Sequence, residues 1–135
     1  MIKEIRIRNF AVIENLEVSF GKGLSVLTGE TGAGKSIIID AINLLLGGRA
    51  DTDSIRSGET TAFVDAVFEI TDPVTRDLIL EFGVEMDDSE LLIKRQVSNT
   101  GKNRCLLNNS SVTVSTLGKI GDRLVDLHGQ HDHQA

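Results

Sequence analysis

With 135 residues, of which 40% are hydrophobic, the chain is long enough for one domain with a modest core and too apolar for a disordered segment. Its formal net charge of −6 argues against a surface that binds nucleic acid as a whole, so any such contact must be local. A single cysteine, Cys105, excludes an internal disulfide framework, and no apolar run approaches the roughly 20 residues that span a bilayer.

The opening residues Ile2-Lys3-Glu4-Ile5-Arg6 are charged and alternating, unlike a secretory signal, and the expectation is a cytoplasmic protein without membrane contact. Ile5 and Ile7 alternate with Glu4, Arg6 and Arg8, then Leu16, Val18 and Phe20 with Glu17 and Ser19, so two half-buried strands are predicted, joined through 9–15. Gly21-Lys22-Gly23 turns the chain into an apolar strand over 24–28. That strand delivers Gly29-Glu30-Thr31-Gly32-Ala33-Gly34-Lys35-Ser36, and a helix over 37–46 follows, stopped by Gly47-Gly48.

Residues 51–60 read as a polar surface loop, flanked by Arg49 and carrying Arg56. Ala62, Val64, Ala66, Phe68 and Ile70 form the longest alternation and predict a strand. Asp72 and Pro73 fit the N-cap and first position of a helix running to Gly83, and 85–90 is an acidic turn. Strands over 91–97 and 104–107 are joined by a glycine-containing turn at 98–103. Asn108-Asn109 turns again. Ser115 or Thr116 is expected to cap a short helix to Arg123, and 124–127 reads as a strand feeding His128-Gly129-Gln130-His131-Asp132-His133-Gln134.

The segment from Gly29 to Ser36 fits G-x-x-x-x-G-K-[ST] and has the strand–loop–helix setting that motif requires. A triphosphate carries several negative charges, so holding it takes many donors at close range. Gly29, Gly32 and Gly34 let successive backbone N–H groups turn inward, and the start of the next helix adds unpaired N–H groups. Lys35 is placed for the β- and γ-phosphates and Ser36 for Mg²⁺, which makes ATP and Mg²⁺ the expected cofactors. A complete enzyme of this kind also needs an apolar strand ending in acids that hold Mg²⁺ and polarise water. Val64-Asp65 and Leu124-Val125-Asp126 have too short an apolar lead and no second acid, so that strand is expected to be absent. The element order predicts an α/β P-loop core with an antiparallel sheet beside it.

Ile5-Arg6-Ile7-Arg8-Asn9-Phe10 ahead of the motif, Asp40-Ala41-Ile42-Asn43 after it and Leu46-Gly47-Gly48-Arg49-Ala50 resemble the ATPase heads of the structural-maintenance-of-chromosomes-like (SMC-like) branch of the ABC superfamily. Ile55-Arg56-Ser57-Gly58-Glu59 and the run 124–134 are similar to the RecN family of bacterial double-strand-break repair ATPases. The resemblance implies that residues 1–135 are the N-terminal lobe of a split head, with a coiled coil and a C-terminal lobe lying elsewhere. It further implies an ATPase in the complete protein, inactive as this lobe alone, that closes two heads over ATP as a homodimer and couples closure to DNA binding or tethering at double-strand breaks, in association with the nucleoid. Lys35 and Ser36 map onto the phosphate lysine and the Mg²⁺ ligand, and Gln130, or Gln134, onto the glutamine near Mg²⁺ and the attacking water. Where some relatives carry a basic residue after the Asn-Phe pair, this chain has Ala11.

From 91 to 121 there is no Asp or Glu, while Lys94, Arg95, Lys102, Arg104 and Lys119 give +5. This segregation makes Lys94, Arg95, Lys102 and Arg104, together with Arg56, the candidates for contact with DNA phosphates. His128, His131 and His133 beside Asp132 match no standard zinc spacing and read as polar loop residues. The rival readings are the SMC-like head of a different chromosome-maintenance protein, a small P-loop kinase or GTPase, or a piece with only a packing role.

Overall fold

The alternations become one six-stranded sheet, antiparallel throughout, in a computed structural model that describes residues 2–20, 32–49, 52–86 and 88–127, with 32–36 and 125–127 as backbone only. In chain order the elements are β1 Ile2–Phe10, β2 Ile13–Ser19, α1 Gly32–Leu45, β3 Thr61–Glu69, α2 Pro73–Glu81, β4 Glu90–Ser98, β5 Asn103–Leu107, β6 Ser110–Val112 and α3 Val114–Leu127. The strand order is β2-β1-β3-β4-β5-β6, so α1 lies in the connection from the edge strand β2 to β3, which sits on the other side of β1. The expected strand over 24–28 lies outside the described residues.

Register divides the sheet into two chemically different faces, because side chains alternate along each strand. Ile5, Ala66, Ile93 and Leu107 form one buried row across four strands, and Ile7, Val64, Arg95 and Cys105 form the next. The opposite face carries Glu17, Arg6, Asp65 and Lys94 in one row and Asn15, Arg8, Phe63, Gln96 and Arg104 in another. Helix α1 covers the buried face, packing on β3 and β4 with Ala41, Leu44 and Leu45 in the core.

Local chemistry fixes the ends of these elements. Asp72 caps α2 by accepting from the Thr75 amide at 3.0 Å, with Pro73 at the first helical position as expected. At the end of α1, Gly47 adopts φ +100°, its N–H reaches Leu44 O, and the Gly48 N–H reaches Asn43 O at 2.9 Å. That pair of bonds is a Schellman motif.

Two expectations about the C-terminal part are corrected. The residues 124–127 are the last turn of α3, not a strand, and the cap is Thr113, whose hydroxyl accepts from the Thr116 amide at 3.1 Å, not Ser115 or Thr116. Leu117, Ile120 and Leu124 recur at helical spacing and are all buried, so one amphipathic helix buries more apolar surface than a short helix followed by an isolated strand. The strand β6 is an addition. Asn108 and Asn109 both have positive φ, +48° and +71°, the geometry of a two-residue hairpin turn, and they return the chain to pair Ser110 with Leu107.

Candidate functional site

Helix α1 begins at Gly32, so residues 32–36 of the phosphate-binding motif form its opening turn. The first four N–H groups of a helix have no partner within it, and its N-terminus carries about half a positive charge. This end of α1 therefore offers the donors that a phosphate requires, on a backbone whose glycines leave room for close approach. Residues 29–31 and the side chains of Lys35 and Ser36 lie outside what the structure describes, as do Gln130, Gln134, His128, His131 and His133. Among the described residues no cluster of His, Cys, Asp and Glu could hold a metal, and no helix is long and apolar enough to cross a membrane.

The far end of α1 is gripped by an unexpected residue. Arg95 is 2% exposed on the buried face of β4, and its Nη1 donates to Leu44 O and Gly48 O, both at 2.6 Å. Its Nη2 donates to Asn103 Oδ1 at 3.2 Å, while its Nε, also buried, has no hydrogen-bond partner among the described residues. The guanidinium thus sits against the negative end of the α1 dipole, which offsets part of the cost of burying the charge. Burial pushes the arginine pKa down, and burial also raises that of Cys105 opposite it in register, with Arg95 pulling the thiol the other way. Arg95 is accordingly removed from the surface on which its charge and position in the hairpin had placed it.

The other expected basic residues divide by their neighbours. Lys94 is half-buried on the open face opposite Asp65, in an alternating row with Arg6 and Glu17. Desolvation raises the Asp65 pKa, and Lys94, Arg6 and Arg8 oppose the rise. The Lys94 charge is thereby partly answered within the sheet. Lys102 and Arg104 are exposed at and beside the hairpin turn, and Arg49 is exposed just past Gly48, whose carbonyl Arg95 holds. Arg56 is half-buried, its N–H donating to Asn9 O at 2.8 Å, which ties the 52–60 segment to the end of β1. Arg8 lies 4.7 Å from the centroid of the Phe63 ring, inside a cleft of about 510 Å³ that also takes in Arg6, Glu17 and Asp65. This cleft opens on the face of the sheet away from α1 and is not the phosphate site.

Helix α3, which leads into the segment holding Gln130, is fixed at two places that the residue pattern alone did not reveal. Arg123 donates from Nε to Thr75 Oγ1 at 3.1 Å and from Nη2 to Asp72 Oδ2 at 2.9 Å, so the carboxylate that caps α2 also anchors α3. Arg123 and the Thr75 bonds together hold the Asp72 carboxyl below the usual carboxylate range. Gly121 on α3 and Gly47 past α1 then let the two helices meet backbone to backbone. A Cβ on Gly121 would lie 2.3 Å from Leu46 O, and one on Gly47 would lie 2.5 Å from Gly118 Cα.

Comparison with known proteins places these features in a family. A family model described as "AAA domain" matches residues 4–132. DNA repair protein RecN of Halalkalibacterium halodurans is 50% identical over 99% of the chain, that of Bacillus subtilis 48% over 99%, and that of Vibrio cholerae 38% over 99%. The chain spans about a quarter of the length of these relatives, 24%, 23% and 24%. Among solved structures, one from work on ATP-driven dimerization and DNA-stimulated activation of SMC ATPases superposes with a TM-score of 0.69 at 26% identity, covering 88% of this chain and 76% of that one. The SMC head domain from Thermotoga maritima matches with a TM-score of 0.60 at 25% identity over 90% of this chain and 41% of that one. The fold is that of the N-terminal lobe of an SMC-type ATPase head, as expected.

Proposed function

The chain belongs to the AAA-domain family, and from that premise we propose that residues 1–135 are the nucleotide-binding lobe of an SMC-like DNA repair ATPase. The observation that carries this reading is the opening turn of α1, which places residues 32–36 of a phosphate-binding motif at a helix N-terminus backed by an antiparallel sheet. In this reading the backbone N–H groups of 29–36 cradle the phosphates, Lys35 reaches the β- and γ-phosphates, and the Ser36 hydroxyl ligates Mg²⁺. Gln130, with Gln134 as the alternative, directs a water toward the γ-phosphate. Bound Mg²⁺ supplies charge neutralisation on the phosphate oxygens. The donor set, a glycine-rich helix start with one lysine and one hydroxyl, suits that pair of ligands.

Hydrolysis then needs an acidic strand and a closing surface from outside this lobe, which the proposal assigns to the protein's own C-terminal lobe and to a second head. The DNA surface is the tip of the β4–β5 hairpin, with Lys102 and Arg104 as its charges, Arg49 and Arg56 flanking it and Lys94 contributing less because Asp65 faces it. Such a surface meets phosphates and reads no sequence, since no helix is presented to a groove. The test is made on the complete protein. Lys35→Ala should abolish binding of a fluorescent ATP analogue while leaving the circular dichroism spectrum unchanged, and undiminished binding would overturn the assignment.

A further inference from the structure

We propose that Arg95 is a positioning residue that carries coupling between the basic hairpin and the phosphate cradle, by tying the C-terminal end of α1 to Asn103 at the start of β5. The proposal rests on the reading that Lys102 and Arg104 meet DNA phosphates. Its basis is the way one buried guanidinium is shared: one bond of 2.6 Å goes to Leu44 O in the last turn of the P-loop helix, one of 2.6 Å to Gly48 O just past that helix, and one of 3.2 Å to the hairpin.

The arrangement is costly in a way that a purely apolar core would not be. Val64, Cys105 and Ile7 share the row with Arg95, so an aliphatic side chain there would complete the core without burying a charge or leaving an Nε unpaired. The Schellman motif already satisfies Leu44 O through the Gly47 N–H, so Arg95 is not needed to end the helix. What it adds is a link. Asn103 is exposed beside Lys102 and Arg104, whereas Leu44 lies in the last turn of α1 and Gly48 just past it, at the end opposite the motif. A helix is stiff along its axis, so a shift of the hairpin that pulls on Arg95 moves α1 as a body and with it the donors at Gly32.

Gly121 and Gly47 let α3 sit against this same end of α1, which puts hairpin, P-loop helix and the helix leading to Gln130 around one point. By linkage, any effect of DNA on nucleotide affinity through this point must be matched by an equal effect of nucleotide on DNA affinity. Arg95→Lys keeps a cation at the helix terminus but cannot fork to Asn103 as well, and Asn103→Ala removes only the hairpin arm.

The experiment uses the complete protein and measures the Kd of a non-hydrolysable ATP analogue with and without saturating random-sequence duplex DNA. In the wild type, DNA should tighten the analogue by about fivefold or more. In Arg95→Lys and in Asn103→Ala that ratio should fall to about one, while the Kd without DNA stays within about twofold of wild type, and combining the substitutions should add nothing further. A merely structural Arg95 would instead weaken the analogue with and without DNA alike. Wild-type coupling retained in both variants, or no coupling in the wild type, overturns the proposal. Neutralising Lys102 and Arg104 in parallel separates the two levels: an unchanged salt slope of DNA binding sinks the hairpin reading, whereas a reduced slope with coupling intact in Arg95→Lys sinks only the role of Arg95. Should Arg95→Lys fold poorly, Asn103→Ala, made on the surface, decides the matter alone.

Discussion

Two alanine substitutions three residues apart on α3 should move stability in opposite directions. In a helix interior, Gly→Ala normally stabilises by about 1 kcal/mol, because glycine loses more backbone entropy on folding. Gly118 should show that ordinary gain, since an added Cβ meets nothing within 4 Å. At Gly121 the new Cβ would sit 2.3 Å from Leu46 O and 2.9 Å from Leu46 Cβ, against ordinary contact at 3.4 Å or more. The obstacle is backbone, so it cannot rotate aside, and α3 must retreat by about 1 Å from the end of α1, opening contacts around Leu117, Ile120 and Leu124. Overpacking of this kind costs up to about 3 kcal/mol, which leaves a net loss of about 2 kcal/mol after the helix-propensity gain.

The two variants are therefore expected to differ by about 3 kcal/mol. With a urea slope of about 2 kcal/mol per M, their unfolding midpoints should separate by roughly 1.5 M, Gly118→Ala lying above wild type and Gly121→Ala below it. Equal slopes would show that the folded state, and not the compactness of the unfolded chain, has changed. A rise in midpoint for Gly121→Ala comparable to that of Gly118→Ala would refute the close crossing of α3 and α1.

Replacing Arg95 by Met should leave stability within about 1 kcal/mol of wild type, because the bonds lost to Leu44 O and Gly48 O are offset by relief of the penalty of burying the guanidinium; a fall of about 3 kcal/mol or more in urea unfolding would show that the clamp is needed for folding and not only for coupling. Asp72 has its pKa lowered, so its contribution is present above the unfolded value near 3.9 and is lost as pH falls through the lower folded value. Asp72→Asn keeps a capping side chain but not the charge, and its midpoint should change less than that of wild type between neutral pH and pH about 3. In the complete protein, neutralising Lys102 and Arg104 should reduce the slope of log K against log salt for duplex DNA by about two, and an unchanged slope would remove the hairpin tip from the interface.

Most of the sheet was legible because its central strands β3 and β4 alternate strictly, and alternation states both the element and its buried face. Ala62 through Ile70 is the clearest instance: every second residue is in the core. The connection 9–15 is tighter than composition suggested, with β1 and β2 turning at Ala11 and Val12, because Asn9 and Ala11 both adopt positive φ and the Ala11 N–H is held by Ser54 O. That bond comes from a segment more than forty residues away and leaves no local trace. The strand over 124–127 failed for the opposite reason: four residues in isolation carry no period, and only with Leu117 and Ile120 does the helical spacing emerge. Arg95 was misplaced because charge was read without register. Its β4 neighbours Ile93 and Val97 are both buried, so alternation alone places position 95 inward, and the signal outweighed by the basic composition was already present. Among the described residues the nucleotide site is represented by the start of α1, whereas the motif itself was the most explicit feature of the sequence.

The same use of register bears on catalysis. If a water-polarising acid existed within this lobe, Asp65 and Asp126 would be its first candidates. Asp65 lies mid-strand in β3 on the open face, paired in register with Arg6 on one side and Lys94 on the other, while Arg95 shows that α1 lies on the opposite face. The sheet itself separates its carboxylate from the phosphate-binding helix. Asp126 belongs to the last turn of α3, so it does not end an apolar strand beside the motif. Asp65→Asn in the complete protein should therefore leave ATP turnover within about twofold of wild type, far from the hundredfold or greater loss that removal of a general base produces. Its structural cost should also be small, under about 1 kcal/mol, because exchanging a partly desolvated carboxylate for an amide gives up cross-strand charge pairs but relieves the desolvation that raises its pKa. Turnover measured by phosphate release, with stability followed by urea unfolding on the same preparation, separates the two effects. A hundredfold fall in turnover with stability intact would place an active carboxylate on the open face and require the nucleotide to be reached from there.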